Sequence, residues 1–325
     1  MTKVLVTGAG GFIGSNLGCF LAEQNLEVIG LDRHFPEDPP QAFPENFQKL
    51  MGDFRDPSLA EEILSGVDTV FHLAGAHLQV SLPESEYWDL NVHSLPRFLE
   101  QARERGVRRF VHTSTVGMYG NLKTWPANED TPCRPQSIYG ETKLAGEKAI
   151  LSYGQSTGFP VVILRPAWVY GPGCPRTRKI YRTLKKGRFI MIGRGDNLRH
   201  PLYIRDMIEA FRLAMYREEA LGQVLLVGGE RAITTNELVE TFCRVLKLPR
   251  PRIRIPYGWG KALAAGTETV FGWLKKEPPI SRRSLEFFDT NNAFDIGKAK
   301  RVLGFHPRYT FEAGLEATRE WLARA

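Results

Sequence analysis

The 325 residues carry 43 Lys and Arg against 36 Asp and Glu, a net charge of +7, with 42% hydrophobic and 24% charged residues. That balance is of a globular chain with a sizeable core, and it excludes a disordered or collagen-like one. No apolar run reaches the roughly 18 residues of a membrane span, and no basic repeat or aromatic-basic platform points to nucleic acid, so the positive charge is expected to serve small anionic partners or solubility.

In chain order, short β-branched runs alternate with amphipathic stretches. Strands are expected at 3–7, 27–31, 69–73, 110–113 and 161–164, and helices at 15–24, 87–105 and 138–153. The alternation implies βαβ units and a parallel sheet. Because Val4-Leu5-Val6 already belongs to the first strand, no signal peptide is expected. The widely spaced Cys19, Cys133, Cys174 and Cys243 read as reduced thiols, in keeping with a cytoplasmic location. After Gly171-Pro172-Gly173 the pattern loosens into isolated helices at 205–216, 235–246 and 281–288, with one further strand at 223–227. The expected architecture is α/β: a Rossmann-type doubly wound parallel sheet with a smaller, mixed C-terminal substrate domain. The first unit takes residues 1–172 plus about 205–229, the second about 173–204 plus 230–325. The stretch 256–276, with Trp259, Leu263, Val270, Phe271, Trp273 and Leu274, reads as an apolar-rich helix that lines the core or a pocket. The alternative is a lid meeting apolar substrate or membrane.

Gly8, Gly11 and Gly14 stand directly after the first strand and before the first helix. Glycines there permit a tight turn, bring the backbone close to a pyrophosphate and let helix pack on strand. The free N–H groups at Phe12 and Ile13 then face the phosphates. Asp32 ends the second strand, where a carboxylate accepts bonds from both ribose hydroxyls. This favours NAD; the adjacent Arg33 leaves NADP open.

Tyr139 and Lys143 form a Tyr-x-x-x-Lys pair on one face of an expected helix. An ammonium beside a phenol favours the phenolate and lowers its pKa, which suits proton exchange with a substrate hydroxyl near neutrality. No histidine pairs with another ligand at metal spacing, so no metal is expected; His34, His72, His77, His93, His112, His200 and His306 are scattered.

The G-x-x-G-x-x-G spacing resembles that of the extended short-chain dehydrogenases, a family that includes nucleotide-sugar epimerases and dehydratases and 3β-hydroxysteroid dehydrogenases. Further matches follow in order: Gly52-Asp53-Phe54-Arg55-Asp56, Phe71-His72-Leu73-Ala74-Gly75, Asn91-Val92, Leu164-Arg165-Pro166, Val169-Tyr170-Gly171-Pro172-Gly173, and Phe294 to Lys300 followed by Leu303-Gly304-Phe305. The resemblance implies adenine contacts at Asp53 and Phe54, a cofactor wall at Leu73, Ala74 and Gly75, and nicotinamide neighbours at Pro166 and Val169. It makes Lys143 the holder of the nicotinamide ribose. Thr115, four residues before Tyr119-Gly120, becomes the hydroxyl that positions the reacting oxygen, with Ser114 as the lesser candidate. Homodimers through the helices at 87–105 and 138–153 are implied in the same way.

Departures from the family pattern narrow the chemistry. The 4,6-dehydratases place Asp-Glu after the catalytic threonine, and sugar-acid decarboxylases a glutamate two residues after it. This chain has Val116-Gly117. Hydride chemistry alone is expected, for a nucleotide-sugar epimerase or ketoreductase, in which Arg199 would meet the diphosphate. Trp168, standing where many relatives have a phosphate-contacting asparagine, and His200-Pro201 favour instead a sterol-like dehydrogenase of an apolar alcohol. A catalytically silent cofactor sensor is the third alternative.

Overall fold

The computed structural model describes residues 2–37, 39–76, 82–273 and 282–324. His77, residues 274–276 of the apolar stretch and residue 281 of the expected helix 281–288 lie outside the described residues.

Among the described residues, strands β1 (Lys3–Thr7), β2 (Glu27–Asp32), β3 (Phe47–Met51), β4 (Thr69–His72), β5 (Arg109–Thr113), β6 (Val161–Pro166), β7 (Trp168–Tyr170), β8 (Ile190–Ile192), β9 (Leu198–Arg199), β10 (Pro201–Tyr203), β11 (Val224–Val227), β12 (Ile233–Thr234) and β13 (Ile253–Ile255) alternate with α-helices. These are α1 (Phe12–Glu23), α2 (Ala60–Leu64), α3 (Glu84–Trp88), α4 (Leu95–Glu104), α5 (Ile138–Thr157), α6 (Pro175–Lys185), α7 (Ile204–Tyr216), α8 (Thr235–Val245), α9 (Tyr257–Trp273), α10 (Arg282–Asp289), α11 (Gly297–Leu303) and α12 (Phe311–Arg324). Seven strands make one parallel sheet in the order β11-β6-β5-β4-β1-β2-β3. The order reverses between β1 and β4, the crevice where open α/β sheets take their ligands. Three two-stranded ribbons, β7–β10, β9–β12 and β8–β13, stand apart from it.

Each face of the sheet carries its own core. Leu17 and Leu21 of α1 and Met207 and Phe211 of α7 cover one side; Ile63, Phe98, Leu99 and Ile150 cover the other. Ile296, Ala299, Leu303 and Phe305, expected in the second unit, join the first of these cores. The reason is topological: α11 packs on β11, the edge strand that returns late in the chain.

Two elements depart from expectation. Strand β3 escaped the sequence reading because it is an edge strand with only Phe47 fully buried, so its alternation is faint. The expected helix 87–105 is broken into α3, a wide turn at Asp89–His93 and α4. Pro96, in the first turn of α4, has no N–H to offer, and the ladder widens there.

Candidate active site

The glycine loop is a cradle that side chains would fill. Gly8 has φ +74°, and a Cβ there would lie 2.7 Å from Ala74 N; a Cβ on Gly14 would lie 2.1 Å from Gly8 O. Helix α1 starts at Phe12 with no side chain capping it, so the N–H groups of Phe12, Ile13 and Gly14 point out of its first turn. Gly11 is less constrained, its added Cβ coming 3.2 Å from Gly8 O. Asp32 is held by its own loop: Gly10 N–H donates to Oδ2 at 2.9 Å and His34 N–H to Oδ1 at 3.1 Å. The uncapped N–H groups therefore fit a dinucleotide pyrophosphate, and Asp32 is a carboxylate held at the end of β2 beside the loop.

The flanking cofactor residues divide. Leu73 and Ala74 follow β4 directly, and Gly75 is kept bare by Asn91, whose Oδ1 would meet an added Cβ at 2.6 Å. Asn91 accepts from Ala76 N–H and donates to Thr142 Oγ1 at 3.0 Å each, joining the wall to α5. Asp53 is engaged by Arg55, through its backbone N–H at 3.0 Å and its guanidinium at 2.7 Å. Burial raises the Asp53 carboxyl, but the Arg55 bonds outweigh it and hold it below its ordinary value. The ring of Phe54 is buried against His72 and Phe98, so its side chain serves the core and its main chain alone faces the expected adenine side. Arg33 leans toward Glu86, 3.7 Å away, with its side chain half exposed. Pro166 ends β6, and Val169 is buried on β7.

Thr115 and Tyr139 come together just beyond the carboxyl end of β5, with Lys143 one turn further along α5. Ser137 caps α5, its Oγ accepting from Gly140 N–H at 3.2 Å, and so sets the helix that presents Tyr139 and Lys143 one turn apart. Thr115 accepts from Gly117 N–H at 3.0 Å and hydrogen-bonds Tyr139. Gly117 is the floor between them: a Cβ there would stand 3.3 Å from Thr115 Oγ1 and 3.8 Å from Tyr139 Cε1. The phenol differs from expectation. Burial pushes the Tyr139 pKa up, against the Thr115 bond and the charge of Arg176. Lys143 does not relieve it in the protein alone, because its Nζ is turned to His112 Nε2, 3.1 Å away. Burial drives the Lys143 amine down to about 8, with Glu147 opposing.

The candidate substrate residues are placed less simply. Ser114 is a correction: it is buried, and its Oγ donates to Glu147 Oε2 at 2.8 Å, away from the Thr115 hydroxyl. Glu147 pairs in turn with Arg165, a buried ion pair that sequence reading left within a cofactor-side motif. Arg199 is 7% exposed and committed to α10, donating to the carbonyls of Phe287 at 3.0 Å and Glu286 at 2.6 Å and to Thr290 Oγ1 at 3.2 Å. Burial, aided by the charge of Arg176, lowers it to about 9. Trp168 packs on Tyr170 and Phe311, and its Nε1 is buried with no hydrogen-bond partner among the described residues. His200 is a strut: Nδ1 accepts from Phe294 N–H and Nε2 donates to Gly229 O at 2.7 Å.

Sequence reasoning missed the cationic face of α6. Arg178, Lys179, Arg182, Lys186 and Arg188 line a cavity of about 720 Å³ that they share with Gly10, Gly11 and Phe12. The Arg-x-Arg-Lys start of this helix was the available signal. Among the described residues no group of His, Cys, Asp and Glu could hold a metal, and no helix is long and apolar enough to cross a membrane.

Comparison with known proteins bears on the fold and the family. The chain is 35% identical to an uncharacterized UDP-glucose epimerase, YtcB, of Bacillus subtilis, over 96% of this chain and 95% of that one. It is 28% identical to a 2-alkyl-3-oxoalkanoate reductase of Stenotrophomonas maltophilia, covering 96% and 97% of the two chains. The solved structure of MoeE5 with UDP-glucose and NAD superposes with a TM-score of 0.77 at 28% identity, over 99% of each chain. A family model matches residues 4–228, and on that match the chain belongs to the NAD dependent epimerase/dehydratase family.

Proposed function

We propose that this protein is an NAD-dependent oxidoreductase of secondary alcohols and ketones that works on a nucleotide sugar, as an epimerase or ketoreductase. The observation that carries the reading is the hydrogen bond of Thr115 to Tyr139, with Lys143 one helical turn along α5, in a chain whose glycine loop leaves the first N–H groups of α1 uncapped. The N–H groups of Phe12, Ile13 and Gly14 would hold the pyrophosphate, Asp32 the adenosine ribose, and Lys143 the nicotinamide ribose. Bound NAD supplies the hydride acceptor and donor. Thr115 orients the substrate oxygen, and Tyr139 takes or returns its proton. A cation bound beside the phenol would reverse the upward push that burial gives it. Asp32 favours NAD over NADP, since a 2′-phosphate would meet a like charge. Tighter binding of NADPH than NADH in a competition titration would overturn that choice.

Dehydration and decarboxylation are disfavoured because Val116 and Gly117 offer no acid beside Thr115. The basic cavity next to the glycine loop supports an anionic, diphosphate-bearing substrate. A second reading, an apolar alcohol or ketone, is favoured by the commitment of Arg199 to α10 and by the reductase relative. UDP-, GDP- and dTDP-sugars, with 3β-hydroxysteroids and long-chain ketones alongside, separate the two. Sugar interconversion at constant nicotinamide absorbance means epimerase, and a stoichiometric absorbance change means dehydrogenase. Turnover of no sugar nucleotide would overturn the first reading. We further propose a homodimer through α4 and α5, which light scattering would refute by showing a monomer at micromolar concentration.

A further inference from the structure

We propose that His112 is a positioning residue for Lys143: its ring accepts one ammonium proton and so fixes the direction of the other two. The inference rests on the reading of Lys143 as part of the reacting site. An ammonium has three donors and no acceptor, so the 3.1 Å contact between Lys143 Nζ and His112 Nε2 makes the imidazole the acceptor. That in turn requires a neutral His112 protonated on Nδ1. Both partners are buried, at 5% and 2% exposure, so neither has water as an alternative.

Surrounding groups keep His112 neutral, and its Nδ1 is buried with no hydrogen-bond partner among the described residues. Lys143, itself opposed by Glu147, faces it from α5, and His72 faces it from β4, the two rings stacked 5.4 Å apart at 23°. Burial, then the charge of Lys143, keeps His112 well below the ordinary histidine range, and the same causes take His72 to about 3. Protonating either ring would set a second buried cation beside Lys143. The far end of the column is fixed as well. Thr7 Oγ1 lies 2.9 Å from His72 Nδ1 and accepts from Ala74 N–H at 3.3 Å. A chain of contacts thus runs from the residue before the glycine loop, through His72 and His112, to the amine. It crosses β1, β4, β5 and α5, so strand register sets where Nζ stands.

The test reads the amine directly. Protein labelled with ¹³Cε-lysine is titrated by NMR as wild type, His112→Gln, His112→Asn and His112→Phe. Glutamine keeps an acceptor near the place of Nε2; asparagine falls short of it; phenylalanine keeps the ring and removes the acceptor. Losing a hydrogen bond to a charged group should lower the Lys143 titration by about one to two units in the Phe and Asn variants. The Gln variant should stay near wild type, and the alkaline limb of kcat/KM should move with the NMR value. If the Phe variant does not fold, the Gln and Asn pair gives the same reading. An unmoved Lys143 titration in a folded Phe or Asn variant overturns the proposal, as does a Gln variant that shifts as far as Asn. NADH titrations and the substrate panel run on the same samples. A wild type without turnover would sink the enzyme reading and leave the lysine measurement to decide this one.

Discussion

The glycine-loop edge of the sheet and the ribbons around Trp168 and Arg199 are built by opposite means. At the sheet edge, function depends on side chains that are missing. Gly8 and Gly14 bring backbone within distances that no Cβ tolerates, and the first turn of α1 is left with free donors. In the ribbons, function depends on which of several partners a long side chain finds. Arg199, expected at a diphosphate, is bound instead by the last turn of α10, nearly 90 residues further along the chain. Local constraint makes the first region readable from the sequence; remote partnership hides the second.

Substitutions sharpen or break this contrast. Tyr139→Phe should lower kcat about a thousandfold while leaving NADH binding in place; near-normal turnover in the nicotinamide absorbance assay would remove the reacting site from the sheet edge. Glu147→Ala strands Arg165 as a buried, unpaired cation, and denaturant melts should show a loss of about 3–5 kcal/mol. An unmoved midpoint would mean that this pair does not tie α5 to the sheet. Gly14→Ala should cost about 1–3 kcal/mol by overpacking against Gly8 O and weaken NADH about tenfold or more in a fluorescence titration. Unchanged affinity would contradict the cradle. Arg199→Gln should cost about 1–3 kcal/mol through unsatisfied carbonyls at the end of α10, with little change in KM for a sugar nucleotide. The reverse outcome, a large KM effect on an unchanged melt, would return Arg199 to the substrate and erase the contrast.

The smallest effect is on pH. Burial disfavours the ammonium of Lys143, so it gives up its proton at a lower pH than a free lysine. Activity that needs the charge should fall as pH rises through about 8 in the kcat/KM profile of the free enzyme. A flat profile to pH 10 would show that the charge of Lys143 is not required.

What was legible in the sequence follows the same division. The strands of the parallel sheet, other than β3, and the Tyr139–Lys143 pair were readable from short, regular patterns, whereas Thr115 was reached only through the family resemblance. Period-two runs and a four-residue spacing need no knowledge of the rest of the chain. Edge strand β3 was not readable, since Gln48 and Lys49 face solvent on a strand with one neighbour. Nor was the fate of Ser114: it and Thr115 are adjacent with like hydroxyls just past the end of β5, yet one bonds Glu147 and the other, capping the next turn, bonds Tyr139. His112 was one of seven scattered histidines, and its contact with Lys143 exists only once β5 lies under α5.

Gly117 carries a consequence for how this scaffold changes over time. A Cβ added there would press tightly on the threonine hydroxyl at 3.3 Å and touch the tyrosine ring at 3.8 Å, and the residue has no functional group of its own. Sheet, cofactor cradle and Tyr-Lys face are all in place without it. On the proposed reading, a carboxylate acquired at this one codon would add an acid beside Thr115 and Tyr139, and with it the means for a different net reaction, while the main chain of residue 117 could still donate to Thr115 Oγ1.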